Sequence, residues 1–157
     1  MSDPDFNLLD SQLRVLLGDE TDALANVSNF IALLYNAIDD IHWTGIYVLR
    51  DNELVLGPFQ GKPGCVRISV GSGVCGTAAA TLETQRVADV HQFDGHIACD
   101  PDSRSELVVP LLTNGELIGV LDIDSASPDR FSAADQAGVE RLCESFCEIQ
   151  GRRSRFI

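Results

Sequence analysis

Residues 106–125 read ELVVPLLTNGELIGVLDIDS, and they carry the clearest signal of the fold in the chain. Two apolar runs flank Asn114-Gly115, a dipeptide that is a strong signal for a tight hairpin turn. The pattern predicts strands over 106–112 and 116–125. Because a short hairpin turn joins antiparallel strands, the stretch favours an antiparallel sheet.

The rest of the chain places helices at both ends of such a sheet. Leucines at helical spacing predict one helix over 6–17, ended by Gly18, and apolar spacing predicts another over 21–39. The remaining predictions are strands over 41–49, 53–56 and 66–70, a turn and short helix over 71–82, a loop over 90–105, and a last helix opened by a capping box at 132–135. The predicted class is α+β, a central antiparallel sheet with the terminal helices packed on one face.

Composition limits the function before any motif is considered. The 157 residues suit a single domain, 45% of them are hydrophobic, and no apolar run is long enough for a membrane span. The net charge of −13 repels phosphate groups, so neither nucleic acid nor an anionic membrane is an expected partner. The N-terminus is acidic and has no signal-peptide pattern, so we expect a cytoplasmic protein.

The five cysteines divide into two groups. Cys143 and Cys147 lie four residues apart on the apolar face of the last predicted helix, where they are expected to fill the core. Cys65 and Cys99 fall in predicted loops, which favours redox chemistry in which one thiol attacks and the other resolves, with His96 as the nearest helper of Cys99. A competing use is a zinc site. Its candidate ligands are Cys65, Cys75, Cys99, His91 and His96. Their spacing fits no defensible ligand pattern, so no metal is expected.

Asp122 and Asp124 interrupt an apolar strand. A period of two puts them on one face, with Leu121 and Ile123 on the other. If that face is buried, the repulsion between like charges at close range raises the pKa of one carboxyl group, which then stays protonated near neutral pH. If the face is exposed to water, the aspartates need no special function. Glu106 could join them, but register decides. A strict two-residue loop pairs Thr113 with Glu116 and sets Glu106 opposite Ile123, whereas a loop one residue longer sets Glu106 opposite Asp122.

Two further patterns could contribute to a binding site. Residues 71–76 match G-x-G-x-x-G, but a dinucleotide site needs a parallel βαβ unit, so we expect a tight turn whose free N–H groups could hold a small carboxylate. Trp43, Gly45 and Tyr47 share one face of their strand, and the two aromatic rings could wall a small apolar pocket or simply belong to the core.

Seven short strings together resemble one protein family. They are Trp43-Thr-Gly-Ile-Tyr47, Leu56-Gly-Pro-Phe-Gln-Gly-Lys-Pro63, Gly73-Val-Cys-Gly76, Asp89-Val-His91, Gly95-His-Ile-Ala-Cys-Asp100, Ser105-Glu106 and Leu121-Asp-Ile-Asp-Ser125. The chain resembles the free methionine-(R)-sulfoxide reductases, which are single GAF-domain enzymes, over about residues 20 to 150 of a domain spanning 1–157. Gly64 and Asp94 depart from the residues common there, Ala and Pro.

This resemblance implies an activity and a set of site residues. It implies a GAF-like fold, a homodimer, no bound cofactor and a thioredoxin-type reductant. It implies that Cys99 is the nucleophile, Cys65 the main resolving thiol and Cys75 an auxiliary thiol. It further implies that the substrate, free methionine-(R)-sulfoxide, contacts Trp43, Tyr47, Glu106, Asp122 and Asp124, and more weakly Asp89. The alternative function is a small-ligand-binding GAF sensor without turnover.

Overall fold

The computed structural model describes residues 3–151. Its elements, in chain order, are α1 (Phe6–Leu17), α2 (Ala23–Ala37), β1 (Trp43–Arg50), β2 (Glu53–Gln60), β3 (Arg67–Ser69), α3 (Gly73–Thr81), β4 (Gln85–Val87), a 3₁₀ turn (Val90–Gln92), β5 (Ser105–Thr113), β6 (Glu116–Ser125) and α4 (Ala133–Gly151). The ends of the predicted domain, residues 1–2 and 152–157, lie outside the described residues. None of the helices within residues 3–151 has the length and apolar character that crossing a membrane requires.

The strands form one sheet in the order β3-β2-β1-β6-β5-β4, and each pairing between neighbours is antiparallel. The predicted α+β class with an antiparallel sheet is therefore confirmed. The three-residue edge strand β4 was not predicted, because so short a segment carries no readable alternation, and β2 runs four residues beyond its predicted end.

The two faces of the sheet are covered differently. Helices α1, α2 and α4 pack on one face around an apolar cluster that includes Leu121 and Ile123, and the Phe30 and Phe146 rings stack there with centroids 4.6 Å apart. The short helix α3 packs on the other face, against Trp43 and Tyr47. The side chains of Asp122 and Asp124, which the sequence predicts to be functional, therefore lie on the face that α3 covers, away from the terminal helices.

The central hairpin contains a bulge that settles the position of Glu106. The Asn114-Gly115 turn pairs Thr113 with Glu116 as a strict two-residue loop should. Further along, Leu112 pairs with Leu117 but Leu111 pairs with Gly119, so Ile118 is an extra residue in β6. The register is shifted by one from there on, and Glu106 lies opposite Asp124. Both residues predicted to lie opposite Glu106, Ile123 and Asp122, were wrong. Glu106 does share a face with the two aspartates, as one of the two predicted registers required.

Helix ends follow the signals in the sequence. Asp5 Oδ1 accepts hydrogen bonds from the N–H groups of Asn7 and Leu8 at the start of α1, and Gly18 ends the helix with a φ of +44°. The capping box before α4 is reciprocal: the Asp135 N–H donates to Ser132 Oγ at 3.0 Å, and the Ser132 N–H donates to Asp135 Oδ2 at 2.8 Å. These ends fix α1 and α4 against the sheet and leave its other face to α3 and the loops.

Candidate active site

A cavity lies between β1, β6, α3 and the 96–103 segment. Seven of the sequence-predicted site residues line it: Trp43, Tyr47, Cys75, Cys99, Glu106, Asp122 and Asp124. Cys65 reaches the same place through its bond to Cys99. Asp89 is not among the lining residues; its side chain accepts from the His91 N–H and lies 3.8 Å from Arg104.

Three carboxyl groups and one thiol form the floor of the cavity. Glu106 on β5 faces Asp124 on β6, and Asp122 lies two residues before Asp124 on the same face. Glu106 and Asp122 are 6% and 5% exposed, so the wet-face alternative is excluded for them. Cys75 Sγ, from the first turn of α3, lies 3.8 Å from Glu106 Oε1. The sheet and α3 therefore hold four acidic groups together, of which Glu106, Asp122 and Cys75 are buried and Asp124 is half-buried.

Burial raises the pKa of each of these carboxyl groups. For Glu106 and Asp124 the loss of solvation is the largest cause, and repulsion from Asp122 adds to it; a hydrogen bond with Ser103 partly opposes the rise at Asp124. Burial raises the pKa of Asp122 to about 6, against hydrogen bonds with Glu106 and Cys75 that lower it. Burial and the neighbouring carboxylates also raise the pKa of the Cys75 thiol. At neutral pH the floor of the cavity consequently retains protons that a reaction can use.

Trp43 and Tyr47 form one wall of the cavity. Their rings stack with centroids 6.0 Å apart, and the Trp43 indole N–H donates to the Lys62 carbonyl at 2.9 Å. Gly45 makes room for this arrangement, because a Cβ at that position would lie 2.5 Å from the Trp43 ring. Tyr47 is only 2% exposed and belongs to the apolar cluster under α3, so the wall is both core and cavity lining.

Cys65 and Cys99 are joined by a disulfide, with their Cα atoms 5.4 Å apart and a sequence separation of 34. Cys99 lines the cavity above the carboxyl floor, while Cys75 remains a buried free thiol. Cys143 and Cys147 are buried in the core under α4, as predicted. The zinc set considered from the sequence is not gathered, because the disulfide takes up two of its thiols. Among residues 3–151, a metal could instead be held by Cys75, Glu106 and Asp122.

The segment that carries Cys99 closes the cavity through contacts that the sequence did not reveal. The His42 Nε2 atom lies 3.1 Å from Ser103 Oγ and 3.5 Å from Asp100 Oδ2, which ties this segment to the start of β1. On the other side, His96 Nε2 lies 3.9 Å from Glu106 Oε2, and burial lowers the pKa of His96. No local motif announces His42 or Ser103, because their partners are some 60 residues away.

Residues 71–76 form the expected tight turn into α3 rather than a dinucleotide site. Gly71 and Gly73 have φ values of +92° and +65°, and β3 before the turn pairs antiparallel with β2. Ser72 and Gly73 line the cavity, at the helix end where first-turn N–H groups have no partner within the helix. This end of α3 can accept an anionic group.

The fold and the cavity define a GAF domain, and the family model described as "GAF domain" matches residues 13–147. The chain is 54% identical to the free methionine-R-sulfoxide reductase of Escherichia coli over 134 residues, covering 85% of this chain and 81% of that protein. It belongs to the family of GAF-domain proteins that includes the free methionine-R-sulfoxide reductases.

Solved structures give the same family. The fRMsr of Staphylococcus aureus in complex with substrate superposes with a TM-score of 0.91 at 47% identity, covering 96% of this chain and 98% of that one. The free methionine-R-sulfoxide reductase of Neisseria meningitidis in complex with its substrate gives 0.90 at 39% identity, covering 96% and 93%.

Proposed function

We propose that this chain is an oxidoreductase that reduces free L-methionine-(R)-sulfoxide to methionine with its own thiols. One observation carries the proposal: a disulfide-forming pair, Cys65 and Cys99, opens onto a cavity whose floor is a cluster of buried, proton-retaining carboxyl groups. A sulfoxide needs a nucleophile at sulfur and an acid at oxygen, and this cavity offers both. The family relatives named above are reductases of this substrate.

The first step uses Cys99 and the acid cluster. The Cys99 thiolate attacks the sulfoxide sulfur while a protonated carboxyl among Glu106, Asp122 and Asp124 donates to the sulfoxide oxygen. The oxygen passes to the Cys99 sulfur, and methionine leaves as the reduced thioether. Cys99 is then a sulfenic acid, and the two electrons lost by its sulfur have reduced the substrate.

The second step uses Cys65. Its thiol attacks the sulfenic sulfur of Cys99, water leaves, and the Cys65–Cys99 disulfide forms. The family resemblance gives Cys75 the role of an auxiliary thiol. In the oxidised structure its sulfur is buried beside Glu106, and its raised pKa keeps it protonated and unreactive. An external dithiol of the thioredoxin type returns both cysteines to thiols by exchange, so the cycle requires no bound cofactor.

Substrate recognition follows from the charges of the cavity. Asp122 and Asp124 bind the α-ammonium group through charge-assisted hydrogen bonds, and among the described residues Asp122 Oδ1 is buried without a hydrogen-bond partner of its own. The first turn of α3 receives the α-carboxylate. Trp43 and Tyr47 hold the S-methyl end and select one sulfur epimer. Asp89 lies outside the cavity lining and has the weakest claim to a substrate contact.

The setting of the enzyme is part of the same proposal. We propose a single GAF-like domain over 1–157, a homodimer, and a cytoplasmic location, where a dithiol reductant is available. The acidic surface, with a net charge of −13, supports a protein that has no nucleic-acid or membrane partner. A sensor domain without turnover remains the alternative function, and it gives no role to two cysteines that form a bond at the cavity.

A single-turnover experiment tests the proposal. Fully reduced protein, freed of external reductant, is mixed with an excess of free methionine-(R)-sulfoxide. About one methionine per chain should appear, because the first chemical step needs only the attacking thiol. The Cys65–Cys99 disulfide should then form, since Cys65 condenses with the sulfenic acid that the first step leaves on Cys99. A binding-only sensor would release no methionine and keep both thiols.

A further inference from the structure

The floor of the cavity holds a set of potential metal ligands that the two-thiol reaction does not require. Cys75 Sγ, a Glu106 oxygen and an Asp122 oxygen all lie within 4.8 Å of one another, and all three residues are buried. They come from three different elements, α3, β5 and β6, that are packed together under the cavity. The set is therefore held by the scaffold rather than by a flexible loop.

The chemistry and spacing of these atoms suit a thiophilic divalent cation. A thiolate and carboxylate oxygens are ligands that Zn²⁺ takes at about 2.3 Å and 2.0–2.2 Å, so a sulfur and an oxygen on one tetrahedral ion lie about 3.6 Å apart. Cys75 Sγ and Glu106 Oε1 are 3.8 Å apart. A small movement of side chains would close the site around an ion.

An independent feature of Asp122 points to a missing cationic partner. Of its two carboxyl oxygens, Oδ1 is buried and finds no hydrogen-bond partner within residues 3–151, although the residue is only 5% exposed and lines the cavity. A buried carboxylate oxygen without a partner is costly, and a cation at the floor would relieve that cost. Bound metal would also remove the repulsion between Asp122 and Glu106 that raises the pKa of Glu106.

We propose that Cys75, Glu106 and Asp122 form a binding site for a thiophilic divalent cation such as Zn²⁺ at the floor of the cavity. On binding, the Cys75 thiol and any protonated carboxyl group release their protons to solvent, and no electrons are transferred. The cation would be a competitor of the substrate rather than a cofactor, because Asp122 also binds the substrate ammonium in the proposed function. The competition between cation and substrate depends on the proposed function, whereas binding of the cation itself does not.

Cadmium is the probe, since its bond to a thiolate gives an ultraviolet charge-transfer band. The oxidised protein is used, because the disulfide removes Cys65 and Cys99 as ligands and leaves the cavity as described. We expect one Cd²⁺ per chain with a thiolate band. The band should vanish in Cys75→Ser and persist in the double variant Cys143→Ala/Cys147→Ala. A wild-type protein without the band, or a band that survives in Cys75→Ser, would overturn the site.

A second variant, which keeps the Cys75 thiol, tests the site even if Cys75→Ser does not fold. Asp122→Asn should weaken Cd²⁺ binding by at least about tenfold, the lower end of what even an outer-shell change costs a metal site. The matched control is Asp129→Asn, an exposed acid just beyond β6, which should leave the affinity unchanged. Equal affinity in Asp122→Asn and wild type would remove Asp122 from the site.

Competition separates this proposal from the proposed function. Free methionine-(R)-sulfoxide should raise the apparent dissociation constant of Cd²⁺ for the oxidised protein. If Cd²⁺ binds through Cys75 but the sulfoxide does not compete, the metal site stands and the proposed competition is wrong. If the sulfoxide is reduced but Cd²⁺ gives no band, the function stands and the metal site is wrong.

Discussion

Strand β6 buries side chains on both of its faces, yet the two faces carry opposite chemistry. Leu121 and Ile123 are completely buried under the terminal helices, where they belong to an apolar cluster. Asp122, between them in sequence, is almost as deeply buried on the other face, beside Glu106 and Asp124. Burial of the leucine and isoleucine stabilises the fold, whereas burial of the carboxyl groups costs stability. A face that costs stability and is still closed off from water is where the function is to be sought.

The cysteines repeat the same contrast. Cys143 and Cys147 fill space in the core under α4, where burial raises the pKa of both thiols and leaves them unreactive. Cys65 and Cys99 meet at the mouth of the cavity and form a disulfide. The residue type is the same in both regions, and only the surroundings assign one pair to packing and the other to chemistry.

Substituting single cysteines from the two groups should give the greatest difference in activity. Cys99→Ser should abolish methionine release in a single turnover, because the attacking sulfur is gone. Cys65→Ser should still release about one methionine per chain and then stop at the sulfenic acid. The control Cys143→Ala should lower the free energy of unfolding by about 1 kcal/mol, since Cys143 lies in the core. Its rate of methionine release should be unchanged. Rapid quench and methionine analysis give the result; an active Cys99→Ser with a dead Cys65→Ser would reverse the two roles.

The next effect concerns the acid cluster. Asp124→Asn should lower the rate of sulfoxide reduction on the order of a hundredfold or more, the usual contribution of a positioned acid. Folding should survive, because one of several mutually repelling groups becomes neutral. Asp129→Asn, exposed and just beyond the same strand, serves as the matched control. Near-normal rates for the amide variants of Glu106, Asp122 and Asp124 would show that none of them is the general acid.

The smallest effect is on stability and its dependence on pH. Burial raises the pKa of Asp122 from 3.8 to about 6, so between these values the folded state binds more protons than the unfolded state. The free energy of unfolding should therefore fall as the pH rises through this window. Asp122→Asn should flatten that fall, while Asp129→Asn should not. Thermal unfolding at pH 4, 5, 6 and 7 measures it (roughly the window between the two pKa values), and identical slopes for wild type and Asp122→Asn would contradict the burial argument.

The sequence predicts those features whose cause is local. Neighbouring residues predict the end of α1 at Gly18, the start of α4 at Ser132, the Asn114-Gly115 turn, and the alternation of Asp122 and Asp124. The position of Glu106 cannot be predicted in this way, because it depends on a bulge at Ile118 that no residue type in the sequence indicates. The pairing of Cys65 with Cys99 and the contact of His42 with Ser103 join distant segments, and only the folded sheet brings them together.

Substrate specificity shows whether the acidic face of the cavity recognises a free amino acid. A free substrate brings an α-ammonium group to Asp122 and Asp124, whereas a blocked one would leave these buried carboxyl groups without a partner. Turnover is compared for free methionine-(R)-sulfoxide, its (S) epimer, and the N-acetylated, C-amidated (R) form. We predict rapid turnover of the first and very slow turnover of the other two. Comparable rates for the free and blocked (R) forms would show that the cavity does not read the ammonium group, and the role given to the aspartates would be wrong.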